Sequence, residues 1–312
     1  MEPFIIRAYR KGDEEKIITL FREVFGKEFT VDQWKWKYAV PGAGKIYSKI
    51  AEDASHAIIG FAGAVPLRGS YGGKPLQFFQ IADVMVHKKA RGFLGKKNVF
   101  EIMIKELFED IGKEFPDVFC YGFPGQRPFL LGKRVGAYDE IETAVDYIIK
   151  PGISLFNPFR IRNMPWDDGR LDSLWSSLSS GMSLSLIRDK SFLNWRYASN
   201  PLHTYQLIGV YLSDDMKGWL VLKEKREEVL VVDMLIDGNL LGNALKALQK
   251  QIPGFKKKVF RLWLPPSLRG TVKGFSREKT PVVVTNMVWK LPFSTDLVKE
   301  NLYYTMGDVD IF

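Results

Sequence analysis

The residues able to do chemistry in this chain concentrate between Asp83 and Phe108. Val84-Met85-Val86 reads as a strand end, His87 to Asn98 as a basic loop with Gly92 and Gly95, and Val99 to Phe108 as an amphipathic helix. From Val84 to Phe100 there are five cationic side chains and no acid. That order builds an anion site from backbone. The loop presents N–H groups, the helix adds the positive end of its macrodipole, and Arg91, Lys96 and Lys97 add charge. A ligand carrying phosphate is therefore expected against residues 91–98. Asp83 precedes the strand end and is a candidate base, with a buried, hydrogen-bonded carboxylate as the competing reading. Tyr121, in the apolar run Val118–Phe123, reads most simply as core packing. The single cysteine, Cys120, has Phe119 and Tyr121 as neighbours and reads as a buried thiol, not a nucleophile.

Composition narrows the field. A net charge of +9 favours acidic ligands without choosing between nucleic acid and a phosphorylated cofactor. The aromatic residues lie in apolar runs and lack the pattern of an RNA-binding sheet, so nucleic acid is not an expected partner. Only three histidines are present, far apart, and no metal site is legible. No apolar run approaches the length of a membrane span, and the first residues lack a signal-peptide profile. One cysteine fits a reducing compartment. A cytoplasmic protein with no membrane partner is expected.

The elements that must position these residues are readable in outline. Phe4–Ala8 predicts a strand, and Gly12-Asp13 opens a helix that Gly26 closes. Thr30 and Gln33 form a capping-box pattern ahead of Trp34-Lys35-Trp36-Lys37-Tyr38. Strands are expected at 46–51, 57–68 and 76–86, with Gly72-Gly73 as a hairpin turn. After the loop and its helix come a strand at 118–123, a short helix at 126–135 and a strand at 143–149. The proline- and asparagine-bearing stretch 151–168 reads as a linker. Beyond it the pattern recurs: Trp36-Lys37-Tyr38, Pro41, Tyr47 and Gly60 have counterparts in Trp195-Arg196-Tyr197, Pro201, Tyr205 and Gly218, offset by 158 to 160 residues. A duplicated domain is expected, with 1–150 as the first copy and 169–312 as the second. In the second copy Asp237-Gly238-Asn239 stands at the corresponding corner without a cation, which confines the anion site to the first.

The element order resembles the GNAT superfamily of N-acetyltransferases, whose Arg/Gln-x-x-Gly-x-Gly/Ala loop holds the pyrophosphate of acetyl-coenzyme A. The chain is more closely similar to a two-domain, Eis-like branch, in which a complete acetyltransferase domain precedes a degenerate one. That branch reads Asp-x-x-x-His-Pro-x-x-Arg-Gly-Lys-Gly-Ile-Phe before a helix; here stand Asp83, His87, Arg91-Gly92 and Lys97-Asn98-Val99-Phe100. Lys88 replaces the proline, Phe93-Leu94-Gly95-Lys96 reads as an insertion, and Asn98 stands in place of a glycine. Asparagine tolerates the left-handed backbone such a turn uses. A second register takes Arg91-Gly92-Phe93-Leu94-Gly95 as the loop itself. Tyr121-Gly122-Phe123-Pro124, Phe192 to Tyr197, Asn200-Pro201 and Gly307-Asp308-Val309-Asp310 add to the resemblance.

The resemblance implies an α+β (mixed α/β) acyl-coenzyme A N-acyltransferase fold, a mostly antiparallel sheet flanked by helices, duplicated in tandem. It implies acetyl-coenzyme A as co-substrate and direct attack by an amine on a small molecule or peptide. Coenzyme contacts then fall on the backbone of Val84, Met85 and Val86 and on Arg91, Gly92, Gly95, Lys96, Lys97 and Asn98. Catalytic roles fall on Asp83, on Tyr121 and, as in Eis-like enzymes, on the terminal carboxylate, here Phe312. The stretch Gln126 to Leu131 lacks the tyrosine that many members use as acid toward sulfur. The alternative is a catalytically inactive protein that binds acyl-coenzyme A or another phosphorylated ligand. Neither the acceptor nor the oligomeric state leaves a mark in the sequence.

Overall fold

The computed structural model describes residues 4–91, 98–152, 157–272 and 274–309. The first half contains β1 (Phe4–Ala8), α1 (Glu14–Phe25), α2 (Val31–Tyr38), β2 (Tyr47–Asp53), β3 (Ile58–Tyr71), β4 (Lys74–Val86), α3 (Val99–Glu114), β5 (Val118–Gly122), α4 (Gln126–Arg134) and β6 (Tyr138–Ile149). The second contains β7 (Phe159–Asn163), α5 (Arg170–Leu178), β8 (Leu184–Leu186), α6 (Lys190–Leu193), β9 (Gln206–Leu212), β10 (Asp215–Glu224) and β11 (Glu228–Ile236). It continues with α7 (Gly238–Gln251), β12 (Val259–Leu262), α8 (Pro266–Arg269), β13 (Ser276–Met287), α9 (Thr295–Asn301) and β14 (Leu302–Tyr303). The class is the expected mixture of helices and mostly antiparallel sheet. No helix among the described residues is long and apolar enough to cross a membrane.

Two compact units divide the chain, and neither is contiguous. Unit 1 is Met1–Gly69, Pro75–Glu142 and Val282–Lys299; unit 2 is Ser70–Lys74, Thr143–Pro281 and Glu300–Phe312. Divisions fall inside β6 and β13, so each of these strands contributes a part to each unit, and others fall at the β3–β4 hairpin and inside α9. Within unit 1 the strand order is β1-β2-β3-β4-β5-β13-β6, and Thr285 and Asn286 of β13 pair antiparallel with Gly122 and Tyr121 of β5. Within unit 2 it is β7-β9-β10-β11-β12-β6-β13. Part of the 151–168 stretch is thus a paired strand: Phe159–Asn163 runs antiparallel to β9.

Local chemistry fixes the ends of the unit 1 elements. The Thr30–Gln33 capping box is formed, with Gln33 N–H donating to Thr30 Oγ1 at 3.2 Å and Thr30 N–H to Gln33 Oε1 at 2.8 Å. Gly26 ends α1 at φ 65°, its N–H donating to the Arg22 carbonyl. Gly72 and Gly73 have φ 56° and 78°, the pair of positive values a tight two-residue hairpin requires between β3 and β4. One face of α3 carries Phe100, Met103, Ile104, Leu107, Phe108 and Ile111, spaced as an amphipathic stripe. These residues bury against Ala51, Ala62, Phe79, Ile81 and Cys120 of the sheet, with Val283 and Met287 of β13 in the same core. Burial pushes the Cys120 thiol well up, which suits a packing residue.

Unit 2 has its own core, in which Leu241, Ala244, Leu245 and Leu248 of α7 pack on Val229, Val231, Leu220 and Phe260 of the sheet. It also holds a buried ionic cluster. Arg188, fully buried, donates through Nε to Asp233 at 2.9 Å and through Nη2 to Asp308. Thr305 Oγ1 and Tyr197 Oη donate to the two Asp233 oxygens at 2.9 and 2.7 Å. Burial pushes the Asp308 carboxyl up, with the Arg188 charge opposing.

Candidate active site

β4 is the element on which the site is built. It pairs parallel with β5 from Gln77↔Val118 to Ile81↔Gly122, and then continues five residues past the end of that ladder to Val86. Two parallel strands of which one outruns the other leave backbone N–H and C=O groups along the longer edge for another partner. Val84, Met85 and Val86 lie on this extension, with Met85 and Val86 buried. Asp83 sits at its start with φ 49°, a left-handed conformation uncommon outside glycine.

The Asp83 side chain accepts two hydrogen bonds at one oxygen. Lys37 Nζ donates to Oδ2 at 2.7 Å and Tyr38 Oη donates to the same oxygen at 2.7 Å. Lys37 and Tyr38 end α2 and are 4% and 0% exposed, so the donors are withdrawn from water while the Asp83 side chain is 13% exposed. A Cβ on Gly63 of β3 would collide with the Tyr38 ring, so that glycine makes room for the clamp. In the sequence Trp36-Lys37-Tyr38 stands out as the end of a capped helix and as a repeated triplet, with nothing tying it to Asp83. Its one chemical signal was the persistence of aromatic, cation, tyrosine in both halves.

Past Val86 the chain turns through His87 and a single turn at Lys88–Ala90. The His87 amide donates to the Ile59 carbonyl, and Arg91 Nε–H folds back to the Val86 carbonyl at 2.7 Å, anchoring an otherwise exposed side chain. Gly92, Gly95, Lys96 and Lys97, like Phe312, lie outside the described residues. Asn98 is the N-cap of α3: its Oδ1 accepts the Phe100 N–H at 3.0 Å. Its φ of −74° is not left-handed, so asparagine is here for its side-chain acceptor and not for backbone tolerance. A cleft of about 500 Å³ opens at this end of β4, lined by Phe4, Glu23, Asp53, Ile59, His87 and Lys89 among others.

Tyr121 is 1% exposed. Its ring stacks on Phe119 at 5.4 Å and meets Phe78 and Phe123 edge-on at 6.0 and 5.5 Å. These contacts lie on the sheet face opposite α3, since Cys120 between them points into the α3 core. The structure therefore brings together Asp83, Val84–Val86, Arg91 and Asn98 along one path, and places Tyr121 in an aromatic cluster on the neighbouring strand.

Set beside known proteins, residues 5–133 match the family model of the acetyltransferase (GNAT) domain. Similar solved structures include a conserved protein of unknown function from Enterococcus faecalis V583, described as a probable N-acyltransferase. It aligns at a TM-score of 0.70 and 16% identity over 92% of this chain and 72% of that one. GCN5-related N-acetyltransferases from Anabaena variabilis and Kribbella flavida align at 0.69 and 0.66. Their identities are 11% and 12%, over 91% and 92% of this chain and 72% of each of theirs. No curated protein sequence matches the chain. At these identities the likeness is one of fold. The chain has the GNAT fold, and the domain match covers the segment that carries the β4–α3 path.

Proposed function

We propose that the protein is an acetyl-coenzyme A-dependent N-acetyltransferase, transferring the acetyl group to the amine of a small molecule or peptide. The observation that carries this reading is the extension of β4 past the β5 ladder, running through Val84–Val86 into a basic loop and the N-terminus of α3. An amide-bearing ligand arm can hydrogen-bond to the exposed strand edge, while phosphates meet the loop amides, Arg91, Lys96 and Lys97. Asn98 caps the helix that follows. An N–H of the strand edge polarises the thioester carbonyl, and the neutral amine attacks it directly. Cys120, buried and with its thiol pushed up, is unsuited to carrying an acyl group. The engagement of Asp83 with Lys37 and Tyr38 favours a holding role over that of base, and the packing of Tyr121 makes it the weaker acid. Residues 1–150 and 169–312 read as copies of one domain, with the coenzyme site in the first.

Acetyl-coenzyme A mixed with a panel of amines should release free thiol with at least one acceptor, and Arg91→Ala should slow release at limiting coenzyme. Binding of coenzyme with no release across polyamine, aminoglycoside, amino-acid and peptide amines would favour the inactive binding protein instead.

A further inference from the structure

The Asp83 clamp has a counterpart in unit 2. There β11 pairs parallel with β12 from Glu228↔Val259 to Val231↔Leu262, and Asp233 follows two residues after the last pair, as Asp83 follows Ile81. Each aspartate stands three residues before its strand's end. Each accepts a hydrogen bond from the tyrosine of a Trp-x-Tyr triplet, Tyr38 or Tyr197, at 2.7 Å. Each also pairs with a buried cation, Lys37 in one unit and Arg188 in the other. The backbone is irregular at both places: Asp83 has φ 49°, and the β10–β11 register skips Val232 beside Asp233. The second copy lacks any cation at Asp237-Gly238-Asn239. A feature present both with and without an adjoining anion loop serves the strand, not proton transfer.

We propose that Lys37 and Tyr38 are positioning residues for the coenzyme site, acting through Asp83; this rests on the acyl-coenzyme A reading above. A residue with positive φ inside a strand turns the peptide planes that follow it, as a bulge does. At Asp83 that turn sets which way the N–H and C=O groups of Val84–Val86 face. The strained conformation persists only when surrounding contacts over-determine it. The two donors from α2 supply those contacts, and Gly63 leaves space for the ring that brings one of them.

The test compares Tyr38→Phe with Tyr197→Phe in the full chain, each removing one buried hydroxyl from equivalent clamps. Two readouts are taken: amide hydrogen exchange at Val84–His87, and acetyl-coenzyme A affinity by calorimetry. Tyr38→Phe should speed exchange at Val84–His87 about tenfold and weaken acetyl-coenzyme A several-fold, while Tyr197→Phe leaves both near wild type. Lys37→Arg, which keeps the charge, should retain affinity, and Lys37→Met should lose it as Tyr38→Phe does. Unchanged exchange at Val84–His87 in Tyr38→Phe overturns the proposal, and so does equal weakening by the two tyrosine variants. Should the wild-type chain bind no acetyl-coenzyme A, the acyltransferase reading fails separately, and the exchange measurement still decides whether the clamp sets the strand.

Discussion

At the scale of single residues, charge burial decides which substitutions matter. Arg188 is enclosed with Asp233 and Asp308, and removing one member of such a cluster leaves the others charged and unsolvated. Arg188→Ala should cost about 3–5 kcal/mol, read by chemical denaturation. A second cluster, in unit 1, gives a pH signature. Arg7 bridges Asp13 and Glu52 at 2.7 and 2.6 Å. His56 and Arg7 hold the Glu52 carboxyl below its usual range. Burial works against it, yet the Arg7 guanidinium and the Arg10 amide hold Asp13 low as well. Both carboxyls therefore bind protons more weakly folded than unfolded. Their contribution to stability is complete above the unfolded value near pH 4 and is lost as pH falls through the lower folded values. The gap in thermal midpoint between wild type and Arg7→Ala should be constant from about pH 7 to 5 and shrink below about pH 4. An acid limb unaltered by Arg7→Ala would remove this cluster from the account.

At the scale of elements, Asn98 and α3 link sequence to site. The N-cap side chain satisfies a first-turn amide of the helix that follows the basic stretch in the chain. Asn98→Ala should lower stability by about 1 kcal/mol in thermal unfolding, whereas Asn98→Gly should cost only a few tenths. The reverse ranking would mean that backbone freedom, not capping, is what the position needs. How much was legible follows the same local logic. The capping box at Thr30, the Gly72-Gly73 turn and the α3 stripe were readable because their determinants lie within a few residues of one another. β7 was not, because Phe159–Asn163 is short and sits among prolines and asparagines that signal a connection. The pairing of β13 with β5 was not, because strand partners are chosen by distant burial. At the site, the anion loop is read from charge and spacing alone, and its residues 92–97 lie outside the described residues. The Lys37–Asp83–Tyr38 clamp was not legible, since its members are 45 and 46 residues apart and only folding brings them together.

At the scale of the whole molecule, the discontinuous units have a consequence for truncation. Unit 1 takes Val282–Lys299 from the far end of the chain, including Val283 and Met287 of its core and the β13 partners of β5. A fragment ending at residue 150 leaves the β5 edge unpaired and an apolar core open. It should be aggregation-prone or unfolded by circular dichroism, and a cooperative, soluble 1–150 fragment would show that β13 is dispensable. The charge distribution points the same way as the loop: the chain carries +9 overall, and the β4–α3 stretch supplies five cations without an acid. The central claim is that this stretch holds a pyrophosphate-bearing acyl donor. The most direct measurement is calorimetric titration of acetyl-coenzyme A into the full chain and its Arg91→Ala variant. The account predicts one equivalent bound per chain, weakened about tenfold or more by the loss of one charge-assisted contact. No binding at sub-millimolar coenzyme, or equal affinity in the variant, would contradict it.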